Sequence, residues 1–138
     1  MIVVVDTNIL LRKLVDVDNP AQVRAAFDLM QRADKVIVPI IAFCEAAWAM
    51  DRLYKRDRDF ISGAIRIITD FEKVVYDTDA VAAGLRMLDD GGGFSDGVLE
   101  YMGRRMANGE SCVFASFDKK AVNFLSMRGI AATIPVYT

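Results

Sequence analysis

Histidine is absent from this sequence, and cysteine is scarce. The lack of histidine excludes catalytic triads built on an imidazole base and removes the commonest nitrogen ligand of metal ions. The two cysteines, Cys44 and Cys112, form no CxxC pair, which disfavours a structural zinc site. Each lies in an apolar run, so we interpret both as buried core residues. Any chemistry must therefore rest on carboxylates, hydroxyls, lysines or these thiols.

Long hydrophobic runs and linkers are also missing. No uninterrupted apolar stretch approaches the roughly 20 residues that span a bilayer. The N-terminal segment MIVVVDTN has no basic region before its apolar run, unlike a secretory signal. We therefore expect a cytoplasmic protein with no membrane partner. Because repeats and low-complexity tracts are absent too, we predict a single domain over residues 1–138.

The composition that remains is that of a globular domain. Apolar residues make up 54% of the 138 residues and charged residues 26%, enough to build a core. The formal net charge is −2, so the surface as a whole does not attract nucleic acid. Binding to nucleic acid would need a local basic patch or bridging cations.

Short β-branched runs alternate with helical patterns along the chain. Strands are predicted at residues 2–5, 35–39, 74–76, 112–115 and 130–134. Helices are predicted at residues 7–14, from 20 onward, and at 40–54, 57–70, 79–88, 96–107 and 119–127. This alternation predicts a parallel sheet covered by helices on both faces.

Three aspartates follow predicted strands or open predicted helices. Asp6 comes directly after the first strand, Asp118 shortly after the fourth, and Asp96 opens a helix after the glycine run 91–93. Open parallel sheets bind ligands at the carboxyl ends of their strands, so these acids are expected at one edge. The alternative is that each is only a helix N-cap.

Glu45 strengthens the interpretation as a site, because it lies in the apolar segment PIIAFCEAAWAM. An ionised carboxylate facing a core is costly without a partner. Glu45 either lies on a thin solvated stripe with Arg52 or reaches a polar site near Asp6. Crowded carboxylates without histidine or cysteine favour Mg²⁺ or Mn²⁺, and such ions can activate water against a phosphodiester.

Four segments together resemble the PIN-domain ribonucleases of the VapC type, the toxins of toxin–antitoxin systems. They are VVVDTNILLR, PIIAFCEAAWAMDRLY, FSDGVLEYMGRRMANG and VFASFDKKAVNFL, and they occur in the family's order and rough spacing. The resemblance implies a three-layer α/β/α fold with a central parallel sheet of four to five strands. It also implies an endoribonuclease that uses Mg²⁺ or Mn²⁺ on RNA, often tRNA or rRNA, forms a homodimer and is inhibited by a cognate antitoxin protein.

The family's catalytic and metal-binding acids match Asp6, Glu45, Asp96 and Asp118. Polar positions that support these acids match Asn8, Ser116 and, less strongly, Thr7. Two features depart from the family pattern: SFD replaces TFD, and Gly97 stands where the family usually has alanine. Because glycine lowers helix propensity by up to about 1 kcal/mol, Gly97 is expected to loosen the position of Asp96. Glu100, one turn later, is either a further acid of the site or a solvated residue, and we interpret it as solvated.

Basic residues near the acids are candidates for binding RNA phosphates. They are Arg12, Arg104, Arg105, Lys119 and Lys120. Each can equally be a solvated surface charge. An alternative function for the whole chain is a catalytically silent PIN-like module that only binds RNA or protein, although the complete set of acids argues against it.

Overall fold

The computed structural model describes residues 1–15 and 19–137, which form seven helices and five short strands. The helices are α1 (Thr7–Leu14), α2 (Pro20–Arg32), α3 (Ile40–Arg52), α4 (Arg58–Asp70), α5 (Thr78–Asp90), α6 (Phe94–Met106) and α7 (Lys119–Met127). The strands are β1 (Ile2–Val4), β2 (Lys35–Ile37), β3 (Val74–Val75), β4 (Phe114–Ala115) and β5 (Ala132–Thr133). In this described part, every helix is too short or too polar to cross a lipid bilayer.

The chain forms two compact units, Met1–Val81 and Ala82–Thr138, whose boundary lies in the first turn of α5. In the first unit, β1, β2 and β3 form a parallel sheet in that order, with Val3 opposite Val36 and Val36 opposite Val74. Helix α1 packs on α2 and α3, and α3 packs on α4. The largest fully buried side chains there are Phe43, Leu10, Met50, Ile65 and Ile68.

Helix ends in the first unit follow the local sequence signals. The Asn19 side chain accepts a hydrogen bond from the Gln22 amide, and Pro20 begins α2. Asp57 caps α4 in the same way, accepting from the Phe60 amide at 2.8 Å. Such caps satisfy amide groups that the first helical turn leaves without partners. The predicted start of α2 is confirmed, and α4 begins one residue after its predicted start because Asp57 is its cap.

The second unit contains a smaller parallel pair of strands. Strand β4 pairs with β5, with Phe114 opposite Ala132, and α7 packs on β5. Met87 and Leu125 are fully buried. The interpretation of both cysteines as core residues is wrong for Cys112, which is exposed, whereas Cys44 is partly buried.

The predicted central sheet of four to five strands, and with it the three-layer α/β/α arrangement, is wrong. The described strands form separate parallel sheets of three and two strands in a mostly helical chain. Each strand is only two or three residues long, so the ladders contain few hydrogen bonds. The prediction that helices cover both faces of the sheet is also wrong at β1, because Ile2 and Val4 are 61% and 65% exposed. Local alternation specifies neighbouring parallel pairs, but not the pairing of strands distant along the chain.

Candidate metal and nucleic-acid site

Asp6 lies at the junction of β1 and α1. Its backbone is extended, and its Oδ1 accepts a hydrogen bond from the Ile9 amide at 3.0 Å. The N-cap interpretation of this residue therefore holds. It does not compete with a role in a site, because the cap engages one carboxylate oxygen and leaves a second. The side chain is exposed to solvent.

Glu45 reaches the residue that follows Asp6. The Thr7 hydroxyl donates a hydrogen bond to Glu45 Oε2 at 3.0 Å, joining the first turn of α1 to the middle of α3. Arg52, the residue of the alternative solvated stripe, lies 3.4 Å from the Asp51 carboxylate, and both side chains are exposed. The first unit thus places two acids and a hydroxyl at the carboxyl end of β1. Glu45 is exposed, so it remains available to a ligand.

In the second unit, Asp118 caps α7. Its Oδ1 accepts from the Ala121 amide at 3.2 Å, while its own amide donates to the Ser116 hydroxyl oxygen at 3.0 Å. Ser116 therefore fixes the backbone at Asp118, consistent with a supporting position. Asn8, the other polar residue matched by the family pattern, is exposed on α1.

Asp96 faces Asp118 and has an altered pKa. It lies in the first turn of α6, two residues after the helix begins rather than at its opening. Partial burial raises the pKa of Asp96 above the ordinary value of 3.8, and the negative charge of Asp118 and a hydrogen bond with it raise that pKa further. These are the effects expected of two neighbouring carboxylates, one of them partly buried. A cation between them would relieve the repulsion.

Gly97 does not loosen the position of Asp96. A Cβ atom at residue 97 would lie 2.4 Å from the Ala83 carbonyl oxygen and 2.8 Å from Met87 Cβ, both on α5. Glycine is therefore what allows α6 to approach α5 this closely. At residue 84 on α5, a Cβ would likewise meet the Phe94 ring at 2.5 Å. The expected loosening is wrong, because sequence propensity takes no account of this packing.

The predicted metal ligands fit a cation only in part. Among residues 1–15 and 19–137, no three acidic, cysteine or histidine side chains form a group that could hold a metal ion. The structure instead brings Asp96 to Asp118, and Glu45 to the neighbour of Asp6. Mg²⁺ is commonly bound through one or two carboxylates, with water and substrate phosphates completing its shell. The Asp96–Asp118 pair has the donor set for such binding.

The basic candidates on α6 are already engaged by neighbouring side chains. Arg104 donates from Nε and Nη2 to the two oxygens of Glu100, at 2.9 and 3.2 Å. Glu100 raises the pKa of Arg104 through these bonds, and it is buried, so its interpretation as a solvated residue is wrong. Arg105 donates to the Tyr101 hydroxyl at 3.4 Å. Both arginines are exposed residues.

Lys119 and Lys120 occupy the first turn of α7, directly after Asp118, and both are exposed. Cations at a helix N-terminus oppose the helix dipole and cost about 0.3–1 kcal/mol each. Helix stability therefore gives no reason for two lysines here, whereas phosphate binding does.

Phe117 was missed as a candidate. It lies between Ser116 and Asp118 and is 78% exposed. An exposed aromatic ring beside acidic and basic candidates is suited to stacking on a base. The motif SFD contains this residue, but the sequence alone gives no sign that its ring points to solvent.

Comparison with models of known protein families gives no match to this chain, and comparison with curated proteins gives none either. The resemblance to PIN-domain ribonucleases therefore rests on the motifs themselves.

Proposed function

We propose that this protein is a metal-dependent endoribonuclease that hydrolyses RNA phosphodiester bonds. The observation that carries the proposal is the Asp96–Asp118 pair, in which a partly buried acid with a raised pKa faces a second acid. The N-cap bond of Asp118 does not explain why a second carboxylate lies beside it, whereas binding of Mg²⁺ or Mn²⁺ would give both acids a common ligand.

The second unit contributes the cation ligands in this proposal. Asp96 and Asp118 would hold the ion, and the Ser116 hydroxyl, which accepts a hydrogen bond from the Asp118 amide, keeps Asp118 in place. A bound divalent cation supplies an activated water and neutralises charge on the phosphate. Lys119 and Lys120 attract the RNA backbone.

In the first unit, Asp6 and Glu45 are the further acids that the family resemblance assigns to the reaction. Thr7 orients Glu45 by donating its hydroxyl hydrogen to Oε2. Attack by water leaves a 5′-phosphate and a 3′-hydroxyl. Recovery of a 2′,3′-cyclic phosphate would contradict the proposal, because that product requires attack by the RNA's own 2′-hydroxyl.

The resemblance alone supplies the finer assignments. They are a toxin of a toxin–antitoxin pair, a tRNA or rRNA target, a homodimer, a cognate antitoxin and a cytoplasmic location. Light scattering on the purified chain tests the dimer directly, since a monomer at micromolar concentration would exclude it.

The test of the activity is incubation of the purified protein with total cellular RNA and Mg²⁺ or Mn²⁺. Asp118→Asn should abolish discrete fragments while preserving the helix cap, because asparagine caps as well as aspartate. Asp57→Asn, which makes the same change at the N-cap of α4, is the matched control and should cleave normally. EDTA should abolish cleavage by both active proteins. Intact RNA with folded, metal-bound wild-type protein would favour a module that binds RNA without cutting it.

A further inference from the structure

An open pocket of about 530 Å³ lies between the C-terminal end of α1 and the first half of α2. Three of its lining residues are cations: Arg12 and Lys13 from α1, and Arg24 from α2. Val23 and Phe27 add an apolar wall. The pocket therefore combines concentrated positive charge with apolar surface inside the first unit.

The cations of this pocket are positioned without being neutralised by the described residues. Arg12 donates from Nε and Nη2 to Gln22 Oε1, at 3.1 and 2.8 Å, so a neutral amide holds the guanidinium. Since a guanidinium has five N–H donors, three remain for a ligand. The Lys13 ammonium lies 4.1 Å from the centre of the Phe27 ring. Within residues 1–15 and 19–137, no carboxylate is paired with Arg12, Lys13 or Arg24.

Helix α1 connects this pocket to the acidic end of the same unit. Asp6 caps its N-terminus, and Arg12 and Lys13 lie in its last turn. Six residues at 1.5 Å each separate Asp6 from Arg12 by about 9 Å along the helix axis. A nucleic-acid strand that passes Asp6 can therefore place a neighbouring phosphate in the pocket.

We propose that the pocket of Arg12, Lys13 and Arg24 is a phosphate subsite that binds the backbone of single-stranded RNA beside the acids. Arginine suits this role because its planar fork of donors matches phosphate oxygens in a two-point contact. The apolar wall suits a sugar or base edge attached to that phosphate. The identity of the polymer rests on the proposed function, whereas affinity of the pocket for phosphate does not.

The test uses the uncleaving Asp6→Asn protein and a fluorescent single-stranded RNA of twelve nucleotides. Adding Arg12→Gln with Arg24→Gln should weaken binding about tenfold or more. It should also make the slope of log affinity against log salt shallower by about 1.4, the value for two lost single-strand phosphate contacts. The matched control is Arg32→Gln with Lys35→Gln, which removes equal charge from exposed positions outside the pocket. Equal weakening by both pairs would overturn the proposal.

A second measurement separates the pocket from the polymer. Inorganic phosphate and a nucleoside monophosphate are titrated at constant ionic strength while NMR follows the Val23 methyl groups and the Arg12 Nε–H. Saturable shifts of the Val23 methyl groups that disappear in Arg12→Gln/Arg24→Gln support the subsite, even for a protein that proves unable to cut RNA. Shifts that do not saturate, or that persist in the variant, would refute it. Preference for an acidic peptide over both phosphates would also refute it and would assign the pocket to a protein partner.

Discussion

Replacing Asp118 by asparagine separates two contributions of one carboxylate. The side chain caps α7 through Oδ1, and its charge raises the pKa of Asp96. Asparagine preserves the cap and removes the charge, whereas alanine removes both. We therefore expect Asp118→Asn to destroy cleavage yet leave a more stable fold than Asp57→Asn, which makes the same change at the N-cap of α4.

The expected magnitudes follow from the exposure of the pair. Asp118 is exposed and Asp96 partly so, and solvent screening limits the relief of repulsion to about 0.5–1 kcal/mol. Loss of an N-cap costs about 1 kcal/mol. Asp118→Asn also loses about 0.3–1 kcal/mol of charge–dipole attraction at the start of α7, a loss that Asp57→Asn shares at the start of α4. Asp118→Asn should therefore be about 0.5–1 kcal/mol more stable than Asp57→Asn. Asp118→Ala should be about 1 kcal/mol less stable than Asp118→Asn. For a chain of this size, the two variants should differ by roughly 4 °C in Tm.

The pH dependence has a definite sign. Because the folded state raises the pKa of Asp96 above 3.8, this group binds its proton more tightly when folded. Well below pH 3.8, Asp96 is protonated in both states and does not alter the free energy of unfolding. As pH rises from 3.8 through the raised pKa, ionisation of Asp96 lowers the free energy of unfolding. The gain of Asp118→Asn over Asp57→Asn should thus be absent near pH 3 and complete at neutral pH.

Urea unfolding between pH 3 and 8 measures this gain. Far-UV circular dichroism is the appropriate signal, because the single tryptophan, Trp48, lies in the first unit and Asp118 in the second. Mg²⁺ at ten times its Kd should stabilise the wild type by about 1.4 kcal/mol and leave the variant unchanged. Equal stabilities of the asparagine and alanine variants at pH 7, or a gain that persists at pH 3, would refute the reasoning.

Three further changes test other parts of the structure. Thr7→Val removes the hydrogen bond to Glu45 and should slow cleavage about tenfold, equivalent to 1.4 kcal/mol, while Thr7→Ser retains activity. Gly97→Ala should destabilise the protein by about 1–3 kcal/mol in urea unfolding, because its Cβ meets a carbonyl oxygen of α5. Gly103→Ala in the same helix has open space and should stabilise by about 0.5–1 kcal/mol, so similar effects of the two would contradict the packing argument. Lys119→Gln should make the salt slope of RNA binding shallower by about 0.7, and an unchanged slope would exclude a phosphate contact.

Helices were the part of the fold that local sequence could specify. The bounds of α1 and α7 agree with the prediction because a capping aspartate precedes each and an apolar stripe continues along it. Helix α6 begins two residues before its predicted start, since Gly93 rather than Asp96 occupies the N-cap position. Periodicity identifies such helices well, but it fixes their ends only where a side-chain cap exists.

The sheet could not be specified in the same way. All five predicted strands contain an observed strand, but the observed strands are shorter, and β4 pairs only with β5 in the described chain. A strand of two paired residues, such as Phe114–Ala115, forms too few hydrogen bonds for its local sequence to determine the order of strands in the sheet. The predicted family fold required a strand order that the alternation of elements does not encode.

The sequence predicts site residues that directly follow a strand, such as Asp6. It does not predict contacts that depend on how the helices pack. Asp96 lies near Asp118, but it follows α5 rather than a strand, so this proximity depends on how α6 packs. The Thr7–Glu45 contact crosses 38 residues and depends on how α1 packs on α3. Periodicity shows that Glu45 is out of place in an apolar helix, but the identity of its partner is a property of the packed unit.

Glu100 and Arg104 form an ion pair that an argument from their closeness to the acids in sequence does not reveal. They are four residues apart on α6, in the order that favours a helical ion pair, so the sequence did contain the signal. Asp96 lies four residues before Glu100 on the same helix face, and an unpaired buried charge there would raise the pKa of Asp96 further. By engaging both oxygens of Glu100, Arg104 compensates that charge. Its position near the acids therefore has an electrostatic explanation that requires no RNA, whereas the two lysines that begin α7 have no such partner among the described residues.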